Sequence, residues 1–274
     1  MTSDRAGHGG LELAEGTVLV RRESDRFDVQ LHRPAKRNAL TAAMIDALHE
    51  VFDLVERERP SSVVLRGAPG CFCAGADIAG YLDAPSRPAE LRAFTERGRD
   101  LCTRISTSEA IVIAVVDGIA MGGGFELVLA ADLVVASAAS RFALPEVRLG
   151  LIPGWGGTQR LVRFVGPNRA KEAILTGAVL SASAAHEAGI VTLLVPDGDD
   201  PHAATGPYLE TLARAPLAMR AVKATVAAAY DPRAGATEGA ALETQSLLAL
   251  FASADGQEGV RAFVEKREPR FVGR

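Results

Sequence analysis

Apolar residues recur three or four positions apart between residues 38 and 59. The positions that form this stripe are Leu40, Met44, Ala47, Leu48, Val51, Phe52 and Val55. Such a stripe predicts an amphipathic helix with one face against a core. Thr41 is a suitable N-terminal cap and Pro60 cannot continue a helix, so the pattern predicts a helix between them.

Shorter apolar patterns predict β-strands. Residues 17–22 and 27–34 alternate apolar and polar side chains around a charged turn, which is typical of a hairpin. Valine- and isoleucine-rich runs predict buried strands, which are separated by a loop of small residues and by helices. The strands are predicted at 61–68, 110–118 and 132–138, the loop at 69–78, and the helices at 87–108 and 122–131. This recurrence indicates a parallel α/β fold.

The pattern changes near both ends of the chain. Residues 1–15 are polar and glycine-rich, so we expect a loosely ordered start and a folded region from Gly16 onward. Residues 16–200 form the predicted core region, whereas residues 201–274 carry only helical patterns. The apolar faces of these last helices are wide, which predicts that they pack on the core region or on another subunit.

Charge and cysteine content narrow the class of protein. The net charge of −4 provides no diffuse basic surface, so no nucleic-acid partner is expected. No apolar run reaches the roughly 20 residues that span a bilayer, and no secretion signal is evident, so no membrane partner is expected. Three cysteines without a zinc-binding pattern predict a cytoplasmic location and no metal site. Frequent arginine and alanine with rare lysine are typical of a bacterial genome rich in G and C.

Three consecutive glycines, Gly122 to Gly124, precede the predicted helix that carries Glu126. The first amide groups of a helix have no partner within it, and the helix dipole adds partial positive charge there. The run can therefore bind an anion, or it can form a tight turn for close packing. It matches neither the phosphate-loop nor the dinucleotide-binding glycine pattern. Glu126 can stabilise the helix start, but its apolar neighbours predict burial and a raised pKa.

Glu146 is a second acidic candidate, in a segment with little helical character. It can form a salt bridge with Arg141 or Arg148, or it can act with Glu126 in acid–base chemistry. Separation along the chain does not decide between these alternatives.

Four motifs follow one another along the chain. They are FCAGADI at 72–78, GIAMGGGFELVLAADLVVAS at 118–137, FALPEVRLGLIPGWGGTQRL at 142–161 and FVEKREPRF at 263–271. With these motifs the chain resembles the crotonase superfamily, the enoyl-CoA hydratase/isomerase family, from about residue 16 to its end. The resemblance implies a spiral of repeated ββα units, followed by a C-terminal helical region that mediates trimerisation.

The resemblance also implies a catalytic site. Crotonases bind acyl-CoA thioesters and stabilise an enolate-like thioester oxygen with two backbone amides, which correspond here to Ala76 and Gly123. In hydratases of the family, two glutamates hold the water that adds to the double bond, and they correspond to Glu126 and Glu146. Gly154 matches a position whose backbone amide also contacts this water.

Coenzyme A contacts are implied on two segments. The backbone carbonyls of Ala74 and Ile78 match positions that receive the adenine amino group. Lys36 and Arg37 follow the RP of the second predicted strand, where basic residues approach the phosphates in relatives. The familiar lysine is displaced by one position here, which leaves both residues as candidates.

Two further residues, Phe263 and Lys266, match positions that touch the adenine nucleotide from a neighbouring subunit. The resemblance therefore implies a homotrimer, or a hexamer made of two trimers. Coenzyme A is part of the substrate, so no separate cofactor is expected.

The function implied most directly is syn hydration of a trans-2-enoyl-CoA to a 3-hydroxyacyl-CoA, because both glutamates are present. Isomerase, decarboxylase or methylglutaconyl-CoA hydratase activity is an alternative on the same site, and a non-catalytic acyl-CoA-binding protein is another. Trp155 stands beside the catalytic motif where a small residue is expected. It can narrow the acyl pocket or serve only in packing.

Overall fold

The computed structural model describes residues 10–23, 25–81, 86–230 and 236–273. Within these residues the chain forms a seven-stranded sheet in the order β1-β2-β3-β4-β6-β8-β11 and a four-stranded sheet in the order β10-β9-β7-β5. The strands of the large sheet are β1 (Gly10–Leu13), β2 (Val18–Glu23), β3 (Arg26–Leu31), β4 (Ser62–Gly67), β6 (Ile111–Val116), β8 (Leu133–Ser137) and β11 (Leu193–Val195). Those of the small sheet are β5 (Cys71–Cys73), β7 (Ile119–Met121), β9 (Arg141–Ala143) and β10 (Leu180–Ser181).

Helices surround the sheets and form the C-terminal region. The helices of the core region are α1 (Ala42–Glu58), α2 (Pro88–Thr107), α3 (Gly123–Ala130), α4 (Gly157–Thr176) and α5 (Ala182–Glu187). The C-terminal helices are α6 (Gly206–Arg214), α7 (Pro216–Ala228), α8 (Ala236–Ala252) and α9 (Ala254–Glu265). Shorter 3-10 helices include Pro34–Lys36, Ile78–Tyr81 and Glu146–Leu149. No helix among the described residues has the length and apolar character needed to cross a membrane.

Three ββα units build the spiral that the resemblance predicts. The pairs β4 and β5, β6 and β7, and β8 and β9 each place one strand in each sheet, and each pair is followed by a helix. Strands β3, β4, β6, β8 and β11 run parallel, as expected for an α/β fold. The predicted parallel α/β architecture and the spiral are confirmed.

The first predicted helix is confirmed in detail. The Thr41 hydroxyl accepts a hydrogen bond from the Met44 amide, and the helix ends at Glu58 with Arg59 in the left-handed region. Its apolar stripe is buried in the main core, which includes Phe72, Phe125 and other apolar residues of both sheets. Burial of this stripe fixes the helix against β2 and α2.

Two expectations about irregular segments are wrong. The ordered part begins before Gly16, because Gly10–Leu13 pairs with β2 and its leucines pack against the core. Residues 1–9 lie outside the described part of the chain. The predicted loop at 69–78 contains the strand Cys71–Cys73, which pairs with β7.

Candidate active site

Three segments with predicted site residues leave one edge of the small sheet. Strands β5 and β9 both run parallel to β7. Residues 74–78 follow β5, residues 122–126 follow β7, and Glu146 follows β9. The Gly122 amide donates to the Ala143 carbonyl at 2.9 Å, which joins two of these strand ends. Because ligands commonly bind at the carboxyl ends of parallel strands, this edge is the candidate site.

The backbone amides of Ala76 and Gly123 lie on neighbouring segments. Leu40 bonds to both sides of Ala76: its amide donates to the Gly75 carbonyl at 2.8 Å, and its carbonyl accepts from the Asp77 amide at 2.9 Å. In such a parallel bridge the amide of Ala76 points away from Leu40. Gly123 begins α3, where an amide lacks a helical partner. A Cβ on Gly75 would lie 3.5 Å from the Gly123 nitrogen, so the two segments touch.

Close packing accounts for the glycine run. Gly122 has a φ of +51°, and a Cβ there would lie 3.0 Å from Glu146 Oε1. A Cβ on Gly123 would lie 2.4 Å from Cζ3 of Trp155. The tight-turn alternative is therefore present in the geometry, and it is compatible with an amide of Gly123 that donates to a ligand.

Glu126 is buried, with 2% exposure, and holds a loop. Its Oε1 accepts hydrogen bonds from the amides of Trp155 and Gly157, both at 2.7 Å. Burial raises the pKa of Glu126 to about 7. The two amide donors favour the ionised form and oppose this rise, whereas the nearby Glu146 carboxylate adds to it. The predicted burial and raised pKa are present, and the carboxylate bonds to the 155–157 loop.

Glu146 is half-buried and has a different environment. Burial raises the pKa of its carboxyl group, and its Oε2 is buried without a hydrogen-bond partner among the described residues. The salt-bridge alternative is wrong for both arginines. Arg141 donates to the carbonyls of residues 138–140, and Arg148 donates to the Gly177 carbonyl at 2.9 Å. Among the described residues, Oε2 of Glu146 thus has unused hydrogen-bonding capacity.

The loop that faces Glu126 and the start of α4 include Gly157 and Arg160, which the sequence alone did not single out. Gly154 is exposed and directly precedes Trp155. The amides of Trp155 and Gly157 hold Glu126, while Arg160 Nη1 donates to the Trp155 carbonyl at 2.9 Å. The glycines around Trp155 were the available signal, since such a loop exposes several amides at once.

Four residues predicted to bind coenzyme A lie on two adjacent segments. The Ala74 amide donates to the Arg37 carbonyl at 2.9 Å, so the segments are joined where both carry candidates. Lys36 and Arg37 are exposed, and Ile78 is 54% exposed. The geometry keeps both basic residues as candidates for the phosphates.

A side-chain clamp joins the same two segments and was not predicted. Arg33 Nη1 donates to Asp77 Oδ2 at 2.6 Å and to the Ala39 carbonyl at 3.2 Å. Asn38 is fully buried, and its Nδ2 donates to the Cys71 carbonyl at 2.7 Å. These bonds fix the segment that carries the Ala76 amide. The sequence does not show that Arg33 and Asp77 form an ion pair, because 44 positions separate them.

Phe263 and Lys266 lie apart from the other candidates. Phe263 is 86% exposed on α9, and Lys266 caps the end of that helix. Among the described residues, no hydrogen bond or ion pair links either of them to the strand ends of the small sheet. The resemblance assigns both residues to a contact between copies of the chain.

Comparisons with known proteins agree with the motifs and the fold. The family model for enoyl-CoA hydratase/isomerase matches residues 23–274. Enoyl-CoA hydratase domain-containing protein 2, mitochondrial, from Homo sapiens is 38% identical over 97% of this chain and 91% of its own. The 2,3-dehydroadipyl-CoA hydratase of Escherichia coli strain K12 is 34% identical over 94% of this chain and 99% of its own.

A solved structure extends the similarity to three dimensions. The enoyl-CoA hydratase from Bacillus anthracis superposes with a TM-score of 0.86 at 32% identity, covering 94% of this chain and 100% of its own. The match of sequence and fold runs through the three ββα units and the strand ends that carry the candidate residues. The chain therefore belongs to the enoyl-CoA hydratase/isomerase family of the crotonase superfamily.

Proposed function

We propose that the protein hydrates trans-2-enoyl-CoA thioesters to 3-hydroxyacyl-CoA. The observation that carries the proposal is the presence of two carboxylates, the buried Glu126 and the half-buried Glu146, beside the start of α3. Glu146 Oε1 lies 3.0 Å from the Cβ position of Gly122, and Glu146 contributes to the raised pKa of Glu126. A site with two coupled carboxylates can hold one water and move two protons.

The proposed reaction keeps its protons in balance. One carboxylate accepts a proton from water as the oxygen bonds to C3, and the other carboxyl group gives a proton to C2. The thioester oxygen carries the negative charge between these events and receives hydrogen bonds from the Ala76 and Gly123 amides. Loss of one such donor costs roughly 2.7 to 4 kcal/mol in other enzymes. The Gly154 amide would orient the water.

The coenzyme A part of the substrate is proposed to lie across the two clamped segments. Lys36 and Arg37 are exposed cations near the 74–78 segment and would meet the phosphates. The carbonyls of Ala74 and Ile78 would receive the adenine amino group. Local cations at this edge are compatible with the acidic net charge of the chain.

Crotonyl-CoA tests the proposal. Loss of the conjugated thioester absorbance would follow hydration, and Glu146→Gln should lower kcat by about a hundredfold or more, because the amide cannot exchange a proton. Binding of unreactive butyryl-CoA should stay nearly unchanged. Glu172→Gln, an exposed position on α4, is the matched control and should keep the normal rate.

Other outcomes would favour a different function. A near-normal rate for Glu146→Gln would contradict the assigned roles. Rapid conversion of a 3-enoyl-CoA with slow hydration would favour the isomerase alternative, and the same assay with methylglutaconyl-CoA tests that substrate. Tight butyryl-CoA binding without turnover of any thioester would favour an acyl-CoA-binding protein.

We further propose that copies of the chain assemble as trimers or pairs of trimers. Large apolar side chains are exposed along α8 and α9, which is unusual for a monomer surface. The exposed residues are Leu247, Leu248, Phe251, Val260, Phe263 and Val264. Assembly through this surface would cover the apolar side chains and could bring Phe263 and Lys266 to a neighbouring site.

A further inference from the structure

Trp155 is the largest side chain next to the candidate oxyanion amide, and it is buried, with 3% exposure. Two glycines make room for its ring. A Cβ on Gly123 would lie 2.4 Å from Cζ3, and a Cβ on Gly98 of α2 would lie 2.1 Å from Cε2. Real Cβ atoms do not approach other atoms so closely, so the indole fills the space between the start of α3 and the middle of α2.

The position of the ring is fixed from several sides. Its amide donates to Glu126 Oε1, and its carbonyl accepts from Arg160 at 2.9 Å. The ring also contacts Phe94 of α2, with centroids 5.7 Å apart and planes tilted by 59°. Movement of this residue would disturb the hydrogen bonds of a candidate catalytic carboxylate. The indole therefore forms a stiff wall.

With the substrate placed as in the proposed function, the acyl group lies beside this wall. A thioester oxygen bound to the Gly123 amide, with its C3 near Glu126 and Glu146, leaves the acyl chain beside the residue that touches both Gly123 and Glu126. Helix α2 also lies close to the loop before Trp155, since a Cβ on Gly154 would be 3.4 Å from Thr95 Cγ2. An acyl chain that extends between α2 and α3 would overlap the indole.

We propose that Trp155 determines specificity by limiting the acyl group, so that short 2-enoyl thioesters of about crotonyl size are the substrate class. This inference rests on the proposed function. A small residue at position 155 would leave open the space between Gly98 and Gly123 that the indole fills. Longer chains would then enter without a change in the two carboxylates.

The test is the dependence of kcat/KM on chain length, from crotonyl-CoA to 2-decenoyl-CoA. The wild type should lose at least about tenfold from the short to the long substrate, and Trp155→Ala should raise the long-to-short ratio by at least about tenfold. Phe52→Ala is the matched control, because it also removes a buried ring but from α1. It should leave the ratio within about twofold. A cooperative thermal unfolding transition would establish that each variant is folded.

Binding separates this inference from the proposed function. Calorimetry with butyryl-CoA and decanoyl-CoA reports the acyl limit without any turnover, so the inference can hold even if hydration is not observed. Trp155→Leu and Trp155→Phe should give intermediate ratios and cover the case in which Trp155→Ala does not fold. An unchanged long-to-short ratio for both turnover and binding in a folded small-residue variant would overturn the proposal.

Discussion

At the scale of single residues, the buried Glu126 and the half-buried Glu146 have unequal hydrogen bonding. Glu126 accepts hydrogen bonds from two backbone amides at 2.7 Å, whereas Glu146 Oε2 has no hydrogen-bond partner among the described residues. Burial raises the pKa of both groups. At Glu126 the two amide donors oppose this rise, so the two carboxyl groups lie in different environments, as an acid–base pair requires.

The raised pKa of Glu126 predicts a loss of stability as pH rises. Below its ordinary value of 4.5, the group is protonated in the folded and the unfolded protein. Between 4.5 and about 7 the unfolded chain has lost the proton that the folded protein keeps, so the free energy of unfolding falls. The full effect is about 3 kcal/mol above pH 7. Glu126→Gln should remove this contribution.

Urea unfolding between about pH 5 and pH 8 measures this effect as the difference between wild type and Glu126→Gln. The glutamine can still accept from the Trp155 and Gly157 amides, so the loop should remain in place. Glu172→Gln on the exposed face of α4 is the control and should follow the wild type. Parallel pH dependence of wild type and Glu126→Gln would contradict the prediction.

At the scale of elements, the Arg33–Asp77 clamp holds the chain after β5 against the chain after β3. Asp77→Asn keeps the shape but removes the charge that pairs with Arg33, and the Ala76 amide is the adjacent backbone group. A small displacement of an oxyanion donor weakens transition-state stabilisation, so kcat for crotonyl-CoA should fall about tenfold. Steady-state kinetics measures this change.

Asp46→Asn is the matched control for the clamp. Asp46 pairs with Arg97 on the surface, where both side chains are about half exposed, at 51% and 49%. Exposed pairs contribute little, so its kinetics should be unchanged. Equal effects of Asp46→Asn and Asp77→Asn would show that the clamp has no particular connection with the oxyanion amides.

A buried ion pair attaches α7 to the core. Lys223 Nζ lies 2.7 Å from Asp132 Oδ2 and also donates to the Ala110 carbonyl at 2.9 Å. Lys223→Met would leave Asp132 buried without its cation, so unfolding free energy should fall by about 3 to 5 kcal/mol. The double variant with Asp132→Asn should lose less than the sum of the single changes. Lys171→Met, at an exposed position, should have little effect in the same urea titration.

The elements that could be predicted from sequence are those with long patterns. The stripe of α1 and the apolar run of β6 each place many buried residues in register. Strands β5, β7 and β9 have three residues each, which is too short for a period to appear. Strand β1 was missed for the same reason, because its four residues gain order only by pairing with β2.

The candidate site was predictable in its residues but not in its geometry. The family motifs identified Glu126, Glu146, Ala76 and Gly123. The proximity of these residues depends on the pairing of the short strands of the small sheet, which the motifs do not show. The residue pattern alone could not decide whether Glu146 forms an ion pair or acts in catalysis, because contacts between distant segments are set by packing. The amides that hold Glu126 could be located only once the 155–157 loop was folded.

At the scale of the whole molecule, each of the three ββα units contributes one strand to the large sheet and one to the small sheet. The large sheet supplies a buried parallel core, while the small sheet turns its carboxyl ends toward one site. Helices α8 and α9 contribute little to this core and instead expose apolar side chains. This exposed apolar surface is the observation behind the proposed assembly of copies.

Leu248→Lys tests the proposed assembly. Leu248 is 62% exposed on α8, and a lysine there would place an unpaired charge in an apolar contact, which should shift trimers or hexamers toward monomers. Sedimentation velocity at micromolar concentration measures the distribution of masses. Glu50→Lys introduces the same side chain at an exposed polar position of α1 and should leave the wild-type distribution intact. A monomeric wild type, or an unchanged distribution for Leu248→Lys, would contradict assembly through α8 and α9.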